Sequence, residues 1–254
     1  MSFQIYQGDC FELLERVSSV EHAIFDPPYS EHVHANVKTG TCNPAKKKVG
    51  NHSVDLGFES IDVAWMERMS DLLFDRVKRW VLVFCDVESS HLWSGALTSA
   101  GFDYVRTGAW VRPGAPQLSG DRPGVGFDAV VICHKPGRKR WNGGGGYATW
   151  NHGPLHPRRP CGCNNTREHP TQKPLPLMIE LVQLFTDPGE TILDPTMGAG
   201  TTGVACVRLG RSFVGIEKIE KHFETAKTRL EAEAIGSDAV SFRSGQLPMF
   251  GGGQ

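Results

Sequence analysis

The sequence predicts an α/β fold in which a mostly parallel sheet carries helices on both faces. Short apolar segments alternate along the chain with segments of helical periodicity, which is the order that βαβ units require. Trp80–Cys85 is apolar throughout, and strands without polar alternation are typical of parallel sheets that are covered on both faces. Two of the apolar segments lead into turns of distinctive composition, Asp26–Tyr29 and Asp194–Thr202.

Apolar periodicity and the residues at segment ends define the individual elements. Strands are predicted at Phe3–Tyr6, His22–Phe25, Trp80–Cys85, Tyr104–Val111, Phe127–Cys133, Thr191–Leu193 and Ser212–Ile216. Helices are predicted at Phe11–Val17, Ile61–Arg79, Glu88–Ala100, Pro174–Phe185, Thr201–Leu209 and Glu220–Ala234. Ser30–Ser60 has little periodicity, so we expect a long loop there.

Length and composition limit the class of protein. The 254 residues, 39% apolar and 22% charged, suffice for one α/β domain with a small insertion. No apolar run approaches the ~20 residues of a membrane span, and the first residues lack the basic start and apolar core of a signal peptide. Five of the seven cysteines stand singly, which favours a reducing, cytoplasmic setting.

Positive charge is concentrated in one irregular segment. Pro136–Arg167 is rich in Gly, Pro and Arg and has no clear period, and residues 135–168 carry a net charge of +6, against −1 for the whole chain. Such a segment either holds a phosphate backbone or is a solvated loop. The candidate DNA contacts are Arg138, Lys139, Arg140, Arg158 and Arg159, with Lys46 and Lys47 of the long loop. Trp141, Tyr147 and Trp150 either support the DNA or pack a small subdomain.

A glycine turn follows the strand Thr191–Leu193. Gly198 and Gly200 let the backbone approach a ligand closely, and Glu217 ends the next strand, where an acid can bind a ribose. These features predict a nucleoside-containing cofactor. With Gly203 the turn also matches the G-x-G-x-x-G pattern of nicotinamide enzymes, although a carboxylate at Asp194 would repel a pyrophosphate. A turn that serves only packing is the remaining alternative.

The second turn has the composition of a rigid corner at a strand end. Pro27 and Pro28 fix the backbone, so that Asp26 presents a carboxylate, Pro27 a carbonyl and Tyr29 an aromatic ring. The two acceptors suit the N–H groups of an exocyclic amine on a base, and the ring suits stacking on the base itself. The alternative is an ordinary proline-rich turn.

Together these segments resemble the amino-methyltransferases of DNA, which use S-adenosylmethionine. Asp26–Tyr29 resembles their catalytic motif, Asp194–Thr201 their cofactor motif, and His169–Pro174 the segment before the helix that borders the methionine. The order catalytic motif, basic region, cofactor motif is that of the β group. The resemblance covers roughly Phe3 to Leu230 and implies a Rossmann-like methyltransferase fold with circularly permuted motif order.

The resemblance also assigns roles to individual residues. It places Asp9 at the cofactor adenine, Glu217 at the ribose, Asp194 at the methionine amino group and Lys173 at the methionine carboxylate. The full set of implied cofactor residues is Asp9, Cys10, Asp26, His169, Lys173, Asp194, Pro195, Thr196, Gly198, Gly200, Thr201, Thr202, Glu217 and Lys218. Thr196 stands where the family usually has an aromatic residue, which puts the shape of the pocket in doubt.

The predicted reaction is methylation of adenine N6 in duplex DNA, after the base is flipped out of the helix. Cytosine N4 is the alternative target. A DNA-binding relic without activity, a nicotinamide oxidoreductase and an enzyme acting on RNA remain open as other classes. The predicted divisions are a catalytic half (1–134), a target-recognition insertion (135–168), a cofactor half (169–236) and a tail (237–254).

Weaker patterns concern partners and metals. The short recognition region favours a homodimer or a contribution from the Ser30–Ser60 loop. Residues 246–250 resemble a peptide that binds the sliding clamp, with an unstructured tail or a locally paired strand as the alternatives. Cys161 and Cys163, near His152 and His156, have a spacing tighter than usual zinc sites, and no metal is predicted.

Overall fold

The computed structural model describes residues 2–28, 61–111, 123–152 and 173–236, and within these ranges a mixed sheet lies between two layers of helices. Its strands are β1 (Phe3–Gln7), β2 (His22–Phe25), β3 (Trp80–Cys85), β4 (Asp103–Val111), β5 (Phe127–His134), β6 (Thr149–Trp150), β7 (Thr191–Asp194) and β8 (Ser212–Glu217). Its helices are α1 (Cys10–Leu14), α2 (Val63–Arg76), α3 (Ser90–Ser99), α4 (Leu175–Phe185), α5 (Thr201–Arg208) and α6 (Glu220–Ala234).

The strand order is β1-β8-β7-β2-β3-β5-β4-β6. Among the described strands β5 alone is antiparallel to its neighbours, β3 and β4. The carboxyl ends of β1, β8, β7, β2 and β3 therefore meet at one edge of the sheet, which we call the carboxyl edge. The prediction of a mostly parallel sheet is confirmed.

Two apolar cores form on opposite faces because neighbouring residues of a strand point to opposite sides. Phe25, Val81 and Val83 pack under α1, α2 and α3 on one face. Ile24 and Leu82, each one residue away, pack under α4, α5 and α6 on the other face. Helices on both faces are therefore confirmed.

Helix boundaries differ from the sequence prediction where a side chain caps the backbone. Asp62 accepts a hydrogen bond from the Trp65 N–H (2.8 Å), so α2 begins at Val63 and not at Ile61. Its predicted end, Arg79, is also too late, because Val77 leaves the helix and bridges to Val20. No helix among the described residues is long and apolar enough to cross a membrane.

The described part of the predicted insertion, residues 135–152, is packed onto the domain, and it contains a strand that the sequence did not predict. β6 pairs with β4, and Trp150 is buried in the core with α4. Trp141 packs against Phe185 with a centroid separation of 6.2 Å, whereas Tyr147 is 86% exposed. Glycines and asparagines around these aromatic residues interrupt the periodicity of apolar residues, so no pattern in the sequence indicated the strand.

A buried ion-pair network at the opposite edge of the sheet couples folding to pH. The His22 side chain is fully buried with its Nε2 atom 2.8 Å from Glu190 Oε2, and Arg79 also pairs with Glu190. Burial lowers the pKa of His22 from 6.5 to about 4, because the charged imidazolium loses its hydration. The folded chain thus keeps the ring neutral at a pH where the unfolded chain already takes up a proton.

We expect the free energy of unfolding to fall as pH drops from 6.5 towards about 4, by up to about 1.4 kcal/mol per pH unit from this histidine alone. His22→Gln keeps an amide donor for Glu190 and does not titrate, so its stability should fall less steeply. Urea unfolding of both proteins across this pH range measures the difference. Equal slopes would contradict the assignment.

Candidate active site

Four carboxylates predicted to act together end neighbouring strands at the carboxyl edge. Asp9 follows β1, Glu217 ends β8, Asp194 ends β7 and Asp26 follows β2, in the spatial order of the sheet. Adjacent strands lie roughly 4.8 Å apart, so this row spans roughly 14 Å. That span is comparable with an extended nucleoside that carries an amino-acid chain.

Asp26 and Asp194 point to the same face of the sheet. β2 and β7 pair with His22 opposite Ile192. Ile24 and Ile192 both belong to the core under α4, α5 and α6, and each aspartate lies two residues further along its strand. The charge of Asp26 accordingly helps to raise the pKa of Asp194. The structure therefore places Asp26 beside the glycine turn and on its side of the sheet.

The glycine turn between β7 and α5 is held by side chains from β8 and α6. Gly198 and Gly200 have φ values of 53° and 72°, a region that favours glycine. Glu217 accepts hydrogen bonds from the N–H groups of Gly198 (2.9 Å) and Ile219 (2.8 Å). Arg229 of α6 donates to the Ala199 carbonyl and to Thr201 Oγ1. Arg229 carried no motif in the sequence, and its position emerges only from the packing of α6.

Asp194 is buried beneath this turn. Its carboxylate accepts hydrogen bonds from the Thr202 hydroxyl (2.7 Å) and the Thr196 N–H (3.1 Å). Burial, together with the charges of Asp26 and Glu217, raises the pKa of Asp194 to about 7. One carboxylate oxygen thus binds the start of the turn at Thr196 and the other binds the first turn of α5 at Thr202, a holding role that the motif alone did not indicate. The Thr196 Oγ1 atom is buried and has no hydrogen-bond partner among the described residues.

The end of β1 lies next to the end of β8. Asp9 caps α1 by accepting from the Phe11 N–H (2.9 Å), and Lys218 Nζ lies 3.6 Å from Asp9 Oδ2. Burial raises the pKa of Cys10, the first residue of α1, to about 12, so its thiol is protonated. The structure brings these three predicted residues together.

Lys173 lies at the Asp26 carboxylate. Its Nζ donates to Asp26 Oδ2 at 2.6 Å and lies 3.8 Å from Asp128 Oδ2. The resemblance implied a contact with the cofactor's carboxylate, whereas the structure gives this lysine two carboxylates of the protein. Sequence motifs missed Asp128, and the one available indication was an acid inside the otherwise apolar strand β5.

The first basic cluster of the predicted DNA surface lies elsewhere. Arg138, Lys139 and Arg140 follow β5 at the edge opposite the carboxyl edge, because β5 runs antiparallel. There Lys139 pairs with Asp103 (2.6 Å). The structure therefore does not bring these residues together with Asp26, and their contact with DNA stays a prediction.

Several predicted residues lie outside the described ranges. They are Tyr29, Lys46, Lys47, Arg158, Arg159 and His169, together with His156, Cys161, Cys163 and residues 246–250. Among the described residues no group of three or more His, Cys, Asp or Glu side chains could hold a metal ion. His152, which is described, pairs with Glu180.

Comparisons with known proteins identify methyltransferases that are similar to this chain. Two similar proteins are the Type II methyltransferases M2.DpnII of Streptococcus pneumoniae, 48% identical over 66 residues, and M.HpaI of Haemophilus parainfluenzae, 38% identical over 87 residues. These segments cover 26% and 34% of this chain and only 25% and 28% of the relatives.

Solved structures match over a greater length. The crystal structure of an M1.HpyAVI–SAM complex has a TM-score of 0.64 and 26% identity, and the match covers 90% of this chain and 100% of that one. The cytosine-N4-specific PvuII DNA methyltransferase, at 14% identity, has a TM-score of 0.68 over 96% of this chain and 91% of its own, which shows the shared fold. The model of the N6/N4 DNA methylase family matches residues 20–228, and the chain therefore belongs to this family.

Proposed function

We propose that this chain methylates an exocyclic amine of a base in duplex DNA, with S-adenosylmethionine as the donor and adenine N6 as the target. The observation that carries the proposal is the position of Asp26 beside the glycine turn, on a neighbouring strand and on the same face. The names of the Type II relatives support a role in modification within a restriction–modification system of the cytoplasm. A homodimer and a sliding clamp bound through residues 246–250 stay predictions.

The residues at the carboxyl edge suit S-adenosylmethionine. The glycine turn offers a close backbone approach. The buried Thr196 hydroxyl has no hydrogen-bond partner within the described part of the chain, and a polar ligand group would supply one. Each oxygen of Glu217 accepts one backbone N–H and keeps a second lone pair for the ribose hydroxyls. Asp9 would accept from the adenine amine. The further cofactor contacts that we propose are Cys10, Pro195, Thr201, Thr202 and Lys218.

The bound cofactor supplies a methyl group that its sulfonium already activates. The chain's task is to orient the target amine, whose lone pair is delocalised into the base. The Asp26 carboxylate and the Pro27 carbonyl would accept hydrogen bonds from the N–H groups of this amine and so return electron density to its nitrogen. Tyr29 would stack on the base. Asp26 would take the proton that the nitrogen loses when it accepts the methyl group that the cofactor would supply.

A covalent enzyme intermediate is not needed in this mechanism. Burial raises the pKa of the Cys85 thiol far above neutrality. The charges of Asp26 and Asp128 act in the same direction. Its thiol is therefore protonated and a poor nucleophile. Direct transfer to nitrogen is the route that the described side chains support.

Removal of the catalytic carboxylate tests the reaction. We expect Asp26→Ala to lower methyl transfer at least about 100-fold, because the amine loses its charged acceptor. Transfer from labelled S-adenosylmethionine to duplex DNA and to RNA, followed by mass analysis of the nucleosides, identifies both polymer and base. Asp75→Ala, an exposed aspartate of α2, is the control. Near-normal turnover by Asp26→Ala would refute the mechanism, and N4-methylcytosine would change the target.

The glycine turn is tested separately. A Cβ atom at Gly200 would lie 2.9 Å from Ala226 Cβ, so we expect Gly200→Ala to displace the turn and weaken S-adenosylmethionine binding by about tenfold, equivalent to 1.4 kcal/mol. Gly189 has a similar φ of 85° but no atom within 4 Å of its Cβ position. Gly189→Ala therefore controls for backbone strain, which costs roughly 1–2 kcal/mol in both variants. Equal affinities in calorimetry would show that the turn does not bind the cofactor.

A further inference from the structure

We infer that Asp128 is a positioning residue for methyl transfer: through the ammonium of Lys173 it keeps the Asp26 carboxylate oriented and available as an acceptor for the target amine. The inference rests on the proposed function. It adds to that function a residue on β5, outside the catalytic and cofactor motifs, and a link between two carboxylates that lie 102 positions apart in the sequence.

The first support is the geometry of the three charged groups. Lys173 Nζ lies 2.6 Å from Asp26 Oδ2 and 3.8 Å from Asp128 Oδ2, so a single ammonium faces both carboxylates. An ammonium has three N–H donors and can serve two acceptors at once. Asp26 and Asp128 therefore share the positive charge of Lys173.

The second support is burial, which differs among the three side chains. Those of Lys173 and Asp128 are each only 6% exposed, whereas that of Asp26 is 25% exposed. A buried charge must be paired, so Lys173 and Asp128 depend on each other. Asp26 is open enough to meet a base, and its orientation depends on the hydrogen bond that Lys173 donates.

The third support is the rigidity of the surroundings. Asp128 lies on a strand that is paired on both sides, by β3 and β4. The Lys173 ammonium lies 5.1 Å from the ring centroid of Phe84 and 5.8 Å from that of Trp110, distances at which aromatic rings attract a cation. The Trp110 ring is itself fixed, because its Nε1 donates to the His152 carbonyl (2.9 Å). The ammonium is thus confined, and Asp128 supplies the fixed charge that confines it.

A consequence follows for the reaction. Without the charge of Asp128, the Lys173 ammonium would lose the fixed charge that confines it, and the hydrogen bond that it donates would no longer hold the Asp26 carboxylate in one orientation. The rate of the chemical step should fall, while binding of the cofactor should be nearly unchanged. A residue that merely supported the fold would lower both.

The test compares Asp128→Asn, Asp128→Glu, Lys173→Met and the double variant Asp128→Asn/Lys173→Met in the full chain. Single-turnover methyl transfer to duplex DNA gives the chemical rate, and calorimetry gives the dissociation constant of S-adenosylmethionine. Asp103→Asn is the matched control, because it removes the carboxylate of another Lys–Asp pair, at the opposite edge of the sheet. Asp128→Ser replaces Asp128→Asn if that variant does not fold.

We expect Asp128→Asn to lower the single-turnover rate about tenfold with the dissociation constant within about twofold of wild type, and Asp128→Glu to restore part of the rate. In the Lys173→Met background the same substitution should have no further effect, because Asp128 acts through the ammonium. A wild-type rate in Asp128→Asn, an equal loss in rate and affinity, or additive effects in the double variant would each overturn the inference. A wild-type protein without transfer to any DNA would instead overturn the proposed function and the inference with it.

Discussion

The parallel pairing of β2 with β7 is the constraint on which the candidate site depends. Its register places the end of β2 beside the start of the glycine turn, and the alternation of side chains sends Asp26 and Asp194 to the same face. A shift of one residue would turn Asp26 to the opposite face and away from the turn. The register is fixed by the two apolar cores, because such a shift would also exchange Ile24 with the neighbours that pack under α1, α2 and α3.

The same constraint explains why the order of motifs along the chain matters so little. Asp26 precedes Asp194 by 168 residues, yet their strands are adjacent in the sheet. Asp9, near the start of the chain, meets Lys218 because β1 pairs with β8. Parallel strands connected by helices always deliver their carboxyl ends to one edge, so a permuted chain can assemble the same row of side chains.

The sequence predicted those parts of the fold whose cause is local. Uninterrupted apolar runs such as Trp80–Cys85 identified strands, and the turns after β2 and β7 identified the candidate site. Contacts between distant residues had no local pattern. In the sequence, Asp128 is a single acid within a strand. Only the structure shows that it faces Lys173, 45 positions later. β6 is only two residues long, and its pairing with β4 is decided by the burial of Trp150.

Electrostatics at the glycine turn separates the two cofactor classes that its sequence pattern allows. A pyrophosphate binds to the backbone N–H groups of such a turn. Two of these groups already donate to carboxylates here: the Gly198 N–H to Glu217 and the Thr196 N–H to Asp194. The third glycine of the nicotinamide pattern has another cause, because a Cβ atom at Gly203 would lie 2.6 Å from the Phe213 ring. The carboxylates would therefore repel a pyrophosphate dianion. They would attract a ligand that carries a sulfonium and an ammonium group. The site thus favours a cationic nucleoside over a dinucleotide. Burial is the main cause of the raised pKa of Asp194, and the charges of Asp26 and Glu217 act in the same direction.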